Sequence, residues 1–122
     1  MVTQRKSTQG GLHLRIRVMG KAGDALGPGK AQLLEAVART GSLRQAAMEM
    51  EMSYMKAWRL ANAMNTNFRE PLLEKNRGGN LRGGTQLTAL GQTVLASYHR
   101  MTFLANQAAQ KEWKVFAALL KK

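Results

Sequence analysis

The sequence has no cysteine and no long apolar run, and each absence excludes a class of protein. Without cysteine, the chain cannot form disulfides, thiolate metal sites or cysteine nucleophiles. Nothing approaches the roughly 18 consecutive apolar residues of a membrane span. The polar, basic N-terminus also lacks the apolar stretch of a signal peptide. We therefore expect a cytoplasmic protein that does not cross a membrane.

Groups that could perform catalysis are scarce. His13 and His99 are isolated from each other, and a lone histidine is far more often structural or solvated than catalytic. Asp and Glu together number only 7, and no spacing among them matches a metal site. We expect neither enzymatic activity nor a metal or other cofactor.

Positive charge is what the sequence has in excess. Lys and Arg number 19, the formal net charge is +12, and the excess is spread along the chain. A polyanion is the first hypothesis for a partner, because neutralising phosphates releases condensed counterions. An anionic membrane surface is a second hypothesis, and charge that only keeps the protein soluble is a third.

The N-terminal third predicts an arm, a strand, a loop and a helix. Residues 1–11 have the composition of a flexible basic arm, which buries too little surface to offset its ordering entropy. Residues 12–18 alternate between apolar and polar, which predicts a half-buried strand that must pair with another. Glycines predict a loop over residues 20–29. A helix is predicted over residues 30–40, ending at a left-handed Gly41.

Two short helical patterns follow, and each begins at a serine. Ser42 and Ser53 stand at N-cap positions, with a turn at Glu51 and Met52 between the two helices. The apolar side of the second helix comprises Ala57, Leu60, Ala61 and Met64. Its opposite side is small, polar and basic, as a helix must be to enter a major groove about 12 Å wide, where arginine pairs with guanine and asparagine with adenine. A solvated helix face is the alternative.

A glycine-rich loop lies between two strand candidates, residues 72–75 and 85–88. The loop carries Arg77 and Arg82. Glycine lets the backbone approach DNA, and arginine can enter a narrow minor groove, so this pattern predicts a DNA-binding wing. A plain hairpin loop would explain the glycines but not the arginines.

The chain from Thr88 to Leu120 predicts one long helix. About 33 residues at roughly 1.5 Å each span about 50 Å, which is longer than so small a domain needs. Apolar residues recur at spacings of four and three, as in the seam of a helix pair. We therefore predict a dimer interface at Val94, Tyr98, Met101, Ala105 and Ala108. Packing on the chain's own core is the alternative for the first turns, and a membrane-binding amphipathic helix is a weaker one.

Together these residues resemble the N-terminal DNA-binding domain of the LysR-type family and, more closely, that of molybdate-responsive (ModE-type) bacterial regulators. The resemblance covers roughly residues 12–105. It is carried by Gly41-Ser42-Leu43, Ala46-Ala47, Met52-Ser53-Tyr54, Ala57-Trp58, Asn62 to Asn65, the wing's two glycine pairs, and Leu87-Thr88 with Gly91. It implies a mainly α fold with a small antiparallel sheet: a winged helix-turn-helix over residues 12–88, then a long dimerisation helix over residues 89–122. In such proteins the wing strands pair with an N-terminal strand.

The function implied by the resemblance is that of a homodimeric, nucleoid-associated transcription regulator that binds specific sequences of double-stranded DNA. A link to molybdenum metabolism is implied as well. Full-length members continue into oxyanion-binding domains whereas this sequence stops at Lys122, so we expect that domain to be absent and do not carry molybdate sensing over. A winged helix that binds protein or RNA, without sequence-specific DNA recognition, is the alternative.

The expected DNA contacts fall into three groups. Base contacts are expected from Tyr54, Met55, Arg59 and Asn62. Phosphate contacts are expected from Ser42, Arg44, Ser53, Lys56 and Lys75. Arg77 and Arg82 are expected to act from the wing.

Overall fold

A computed structural model describes residues 11–75 and 84–122 of the chain. In chain order its elements are β1 (Val18–Gly20), β2 (Gly23–Leu26), α1 (Pro28–Thr40), α2 (Leu43–Glu49), α3 (Tyr54–Asn67), β3 (Leu73–Lys75), β4 (Thr85–Leu87) and α4 (Ala89–Ala117). Within the described ranges, no helix has the length and apolar character needed to cross a membrane.

Helix α1 begins two residues before its predicted start. Pro28 stands at the first helical position, where its fixed φ suits a helix and its missing amide hydrogen removes no bond. The helix ends as predicted at Gly41, whose φ is 73° and whose amide donates to the carbonyl of Val37 at 2.8 Å. The predicted helix is therefore confirmed, with an earlier start.

Both predicted serine caps are confirmed. The Ser42 hydroxyl accepts a hydrogen bond from the amide of Gln45 at 3.0 Å, and the Ser53 hydroxyl accepts one from the amide of Lys56, also at 3.0 Å. Between α2 and α3 the chain turns at Glu51, the only non-glycine residue with a positive φ (56°) in the described part of the chain. A left-handed conformation costs a residue with a side chain about 1–2 kcal/mol.

The core lies where α1, α2 and α3 meet. Ala46 and Ala47 of α2 and Ala57 of α3 are fully buried, and their small side chains let the helices approach closely. The largest fully buried side chains are Leu26, Leu33, Leu34, Val37, Met64 and Leu72. This core orients the opposite side of α3 toward solvent.

The sheet pairing predicted for the N-terminal strand is wrong. We expected residues 12–18 to form a strand that pairs with the wing, but β1 begins at Val18 and pairs antiparallel with β2, while β3 and β4 pair only with each other. The predicted loop over residues 20–29 turns immediately and returns as β2. Closing the short loop between β1 and β2 costs less conformational entropy than closing the long loop that pairing with the wing would require, so β1 pairs with β2.

Residues 11–17 lie extended against α4 rather than in a sheet. The Tyr98 hydroxyl donates to the carbonyl of Ile16 at 2.8 Å, and Leu12 lines a groove with Ala109 and Trp113. The apolar members of the alternating pattern are half-buried and the basic members are exposed. The alternation therefore predicted the two sides correctly but not the partner, which is a helix.

The wing strands are confirmed, each shorter than predicted by one residue. Leu73 lies opposite Leu87, and Lys75 lies opposite Thr85. The amide of Thr85 donates to the carbonyl of Gly41 at 3.0 Å, which ties the base of the wing to the start of α2. The wing tip, residues 76–83, lies outside the described residues.

Helix α4 is a single helix of 29 residues, as predicted, and extends about 44 Å. The Thr88 hydroxyl caps it by accepting a hydrogen bond from the amide of Gly91 at 2.9 Å. Gly91 is buried against the backbone of Leu72, and a Cβ at this position would collide with the Leu72 carbonyl oxygen. This close approach joins the first turns of α4 to the core.

Candidate nucleic-acid interface

One side of α3 faces solvent and carries the polar and basic residues that the sequence predicted for DNA contact. Met55, Lys56, Arg59 and Asn62 are exposed, whereas Ala57, Ala61 and Met64 are buried. The predicted division of α3 into a buried apolar side and an exposed polar and basic side is confirmed. We call the exposed side, defined by Met55, Lys56, Arg59 and Asn62, the α3 flank.

The positive charge at this surface is not neutralised by the described residues around it. The ion pairs in those ranges are Arg17–Asp24, Arg39–Glu49 and Glu35–His99. None of them includes the four described cations predicted to contact DNA, which are Arg44, Lys56, Arg59 and Lys75. Their charge is therefore available to an anionic partner.

The two capping serines can still contact phosphate. Each hydroxyl oxygen of Ser42 and Ser53 accepts one amide hydrogen bond, and a hydroxyl also has a hydrogen to donate. Ser42 precedes α2 and Ser53 precedes α3, so both lie at the N-termini of the two helices that form the helix-turn-helix.

Arg44 and Tyr54 connect these two N-termini. The Cζ atom of Arg44 lies 4.6 Å from the centroid of the Tyr54 ring, within the range of a cation–π interaction. Tyr54 is 39% exposed, and Arg44 is also exposed. Two residues predicted for different roles, a phosphate contact and a base contact, are thus in direct contact with each other.

The base of the wing is attached to α3 through one side chain. The Asn65 carboxamide oxygen accepts hydrogen bonds from the amides of Leu72 (2.8 Å) and Leu73 (3.1 Å), and its nitrogen donates to the Leu73 carbonyl (3.2 Å). Asn65 thereby pairs with the start of β3 much as a neighbouring strand would. Lys75 is exposed at the end of β3, the strand whose start Asn65 binds. Arg77 and Arg82 lie outside the described residues.

Residues 29–92 match the family described as "Bacterial regulatory helix-turn-helix protein, lysR family". The chain belongs to this family.

Curated relatives of this LysR-family chain include ModE proteins. It is 40% identical over 87 residues to the molybdenum transport protein ModE of Azotobacter vinelandii, covering 71% of this chain and 32% of that protein. It is 41% identical over 71 residues to the transcriptional regulator ModE of Haemophilus influenzae, covering 58% of this chain and 28% of that protein. The chain thus spans about a third of the length of these relatives. The resemblance inferred from the sequence is confirmed.

A solved structure shares the fold. The CbnR DNA-binding domain, crystallised in complex with DNA, aligns with a TM-score of 0.54 and 25% sequence identity, covering 69% of this chain and 91% of that one. The predicted fold class, a winged helix-turn-helix with a long C-terminal helix, is confirmed for this LysR-family protein.

Sequence reasoning missed two side chains beside the α3 flank. Trp58 was named only as part of the family pattern. It is 48% exposed and offers apolar contact with a thymine methyl group. Asn65 was noted only as part of the family pattern. A signal for it was present, because it is a polar residue beside the buried Ala61 and Met64 of an amphipathic helix.

The residues predicted for the dimer interface divide into two groups. Val94 packs against the chain's own core, Tyr98 is only 6% exposed, and Ala105 is half-buried, whereas Met101 and Ala108 are exposed. Burial raises the pKa of Tyr98, and the negative charges of Asp24 and Glu35 raise it further. Tyr98 therefore has little surface left for a partner chain.

One stripe of exposed apolar residues on α4 is rotated from the predicted seam and shares Met101 and Ala108 with it. Met101, Leu104 and Val115 are 42%, 57% and 58% exposed, and with Ala108 they follow helical spacing. We call these four residues the outer stripe of α4. The covered side next to it carries Tyr98 and the groove that Leu12 lines.

Proposed function

We propose that this LysR-family chain is a transcription regulator that binds specific sequences of double-stranded DNA as a homodimer. The observation that carries the proposal is the exposed α3 flank beside the base of a wing, with cations that form no ion pair with any described residue. Such a surface matches a major groove in size, charge and hydrogen-bonding groups. The likeness to a DNA-binding domain solved on DNA supports the same reading. The protein would then act at the bacterial nucleoid and not as an enzyme.

The roles of individual residues follow from their positions. Met55, Arg59 and Asn62 occupy the centre of the α3 flank and would contact base edges. The proposed phosphate contacts are Ser42, Arg44, Ser53, Lys56 and Lys75, which fix register without reading sequence. The winged helix-turn-helix of residues 12–88 would provide these contacts, and Arg77 and Arg82 would add the wing's.

Substituting one base contact and one phosphate contact tests the proposal. Arg59→Ala should reduce the preference for a selected duplex over a random one by roughly 1–3 kcal/mol, because it removes hydrogen bonds to a base. Lys56→Ala should weaken binding to both duplexes alike and lower the salt slope by about 1. Fluorescence anisotropy over a salt series measures both quantities. Equal losses on both duplexes for both variants would contradict the assignment.

Homodimerisation is proposed through residues 89–122, with the outer stripe of α4 as the contact surface. These apolar side chains are exposed over a helix longer than the core needs, and a second copy would bury them. Two α3 helices related by a two-fold axis would meet half-sites about 34–36 Å apart, or a multiple of that spacing.

The interface can be tested with charge substitutions. Leu104→Glu combined with Val115→Glu should give a monomer in sedimentation equilibrium and weaken binding to a two-half-site duplex, because carboxylates cannot be buried unpaired. Asn106→Glu, an exposed change on the opposite side of α4, serves as the matched control and should leave a dimer. A monomeric wild-type protein, or a dimer that survives the double substitution, would refute the interface.

A link to molybdenum metabolism is proposed from the relatives, which include the molybdenum transport protein ModE and the molybdenum-pterin-binding protein MopB of Rhodobacter capsulatus. Duplexes selected from a random pool would identify the regulated promoters. We expect the selection to yield the same duplexes with and without molybdate or tungstate. A selection that changes with either oxyanion would show that this chain senses it.

A winged-helix module for protein binding is the alternative, and the exposed outer stripe is the observation that favours it. The salt dependence of affinity distinguishes DNA binding from protein binding, because phosphate contacts release counterions and apolar contacts do not. Steep salt dependence together with sequence preference supports DNA binding. Binding to a protein partner that barely responds to salt supports the module.

A further inference from the structure

The contact between Arg44 and Tyr54 joins the first turns of the two helices in the helix-turn-helix. Arg44 lies in the first turn of α2, and Tyr54 is the first residue of α3. The guanidinium carbon is 4.6 Å from the ring centroid, so the positive charge lies over the negative face of the ring. The ring thereby limits the positions that a long, otherwise mobile side chain can adopt.

The polar groups of both side chains remain available. In the described ranges, the Arg44 guanidinium forms no ion pair and no side-chain hydrogen bond, and neither does the Tyr54 hydroxyl. A guanidinium carries five N–H donors, so contact with one aromatic ring leaves N–H groups free for another partner. Those N–H groups match the oxygens of a phosphate in a two-bond arrangement.

The position of Tyr54 on α3 argues against base contact. At 3.6 residues per turn, Tyr54 is rotated by about 100° from Met55 at the centre of the α3 flank. Its side chain is directed toward α2, where Arg44 contacts its ring. Met55, Arg59 and Asn62 lie instead on the side of α3 that would face the bases.

We propose that Tyr54 is a positioning residue, whose ring holds the Arg44 guanidinium ready to bind a DNA phosphate, and that it does not read a base. The proposal rests on the DNA-binding function proposed above and reassigns the role that the sequence predicted for Tyr54. An arginine held in place before binding loses less side-chain freedom when it meets the phosphate, so the ring raises affinity for every sequence alike.

A double-mutant cycle tests this role. The variants are Tyr54→Leu, Arg44→Ala and the double substitution, each measured by anisotropy against a selected duplex and a random duplex over a salt series. Tyr54→Leu should weaken binding to both duplexes by about two- to fivefold and leave the salt slope unchanged, because no charge is lost. Arg44→Ala should weaken both and lower the slope by about 1. In the Arg44→Ala background, Tyr54→Leu should have no further effect.

Two conservative variants separate the ring from the hydroxyl and the charge. Tyr54→Phe keeps the aromatic ring and should bind like the wild type. Arg44→Lys keeps the charge but not the planar group, so it should lose affinity with an unchanged salt slope, and Tyr54→Leu should matter less in that background. Because Arg44 and Tyr54 are both exposed, neither substitution should disturb folding, and a thermal melt of each variant checks this.

Several results would overturn the proposal. Additive losses in the cycle would show that Tyr54 acts without Arg44. A loss confined to the selected duplex would show that Tyr54 reads a base, and a loss in Tyr54→Phe would assign the effect to the hydroxyl. Preference of the wild-type protein for the selected duplex establishes DNA binding separately, so these results would remove the role of Tyr54 and leave the proposed function intact.

Discussion

The two halves of α4 belong to one uninterrupted helix but have opposite environments. In residues 89–100, Gly91 and Tyr98 are buried, and Val94 and Leu95 pack against the core. In residues 101–117 no side chain is buried, and large apolar residues such as Leu104 and Val115 are more than half exposed. The inner half completes the chain's own core, whereas the outer half extends beyond it.

This difference shows that a helical apolar pattern identifies a surface to be buried but not what buries it. Both halves repeat apolar residues at similar spacings, and both are continuous helix. The first turns meet a core made by α1 and β4, but that core is too small to reach the end of a helix about 44 Å long. We therefore expect substitutions in the inner half to lower the stability of the single chain, and substitutions in the outer half to change association only.

The largest effect is expected for Gly91→Ala. The added methyl group would collide with the carbonyl oxygen of Leu72, which is backbone and cannot rotate away. We predict a loss of about 3 kcal/mol in the free energy of unfolding, measured by urea denaturation at one protein concentration.

Gly29→Ala is the matched control for this substitution. Gly29 lies in the first turn of α1, and a Cβ there would meet nothing within 4 Å. Its stability should stay within about 1 kcal/mol of the wild type, or rise, since alanine favours helix. Similar stability for the Gly91→Ala variant and the control would mean that α4 does not rest on Leu72.

The next largest effect is expected at Asn65, which holds the backbone on which the inner half of α4 rests. Asn65→Ala removes three hydrogen bonds to Leu72 and Leu73 and should lower the free energy of unfolding by about 2 kcal/mol. Asn65→Asp keeps both bonds in which the side chain accepts, so its free energy of unfolding should fall by less.

On the same helix, Asn62→Ala provides the control, because Asn62 is exposed and its side chain supports no other described residue. Its free energy of unfolding, measured by urea denaturation, should change by no more than about 0.5 kcal/mol. If the Asn65 and Asn62 variants unfold alike, the carboxamide does not anchor the wing.

A smaller effect is expected for Tyr98→Phe, which removes the hydrogen bond to the Ile16 carbonyl. We predict a loss of about 1 kcal/mol at neutral pH. Because burial raises the pKa of Tyr98, the folded state disfavours the tyrosinate. Wild-type stability from this group is therefore fully present below the ordinary pKa of 10.0 and is lost as the pH rises above it.

The pH dependence distinguishes the hydroxyl from the ring. Thermal melts of both proteins between neutral pH and pH values above 10.0 should show a steeper alkaline decline for the wild type than for Tyr98→Phe. Parallel declines would show that ionisation of Tyr98 does not cause the loss of stability at alkaline pH.

The smallest effect on the single chain is expected for Leu104→Glu in the outer half. Leu104 is 57% exposed, so the free energy of unfolding at dissociating dilution should change by no more than about 0.5 kcal/mol. Association, followed by sedimentation, should weaken markedly. A large loss of single-chain stability would contradict the contrast between the halves, because it would place Leu104 in the chain's own core.

Much of the local structure could be predicted because its causes are neighbours in the sequence. The serine and threonine caps at Ser42, Ser53 and Thr88 bond to amides three residues away, and Gly41 ends α1 through its own backbone conformation. The burial of one side of α3 follows from its helical spacing in the same way. The LysR-family relationship depends on the same local motifs.

The sequence by itself determined which segments are helical, the capping residues of α2, α3 and α4, which side of α3 faces solvent, and how much charge that side carries. Only the tertiary structure decided the partner of residues 12–18, the side of α4 that stays exposed, and the contacts of Asn65 and Tyr54. The contacts of residues 12–18 with α4 join residues distant in the chain. Asn65 and Tyr54 contact residues closer in the chain, but their helical pattern does not show which residues those are. Several pairings satisfy the same apolar pattern, and packing together with the entropy of loop closure selects among them.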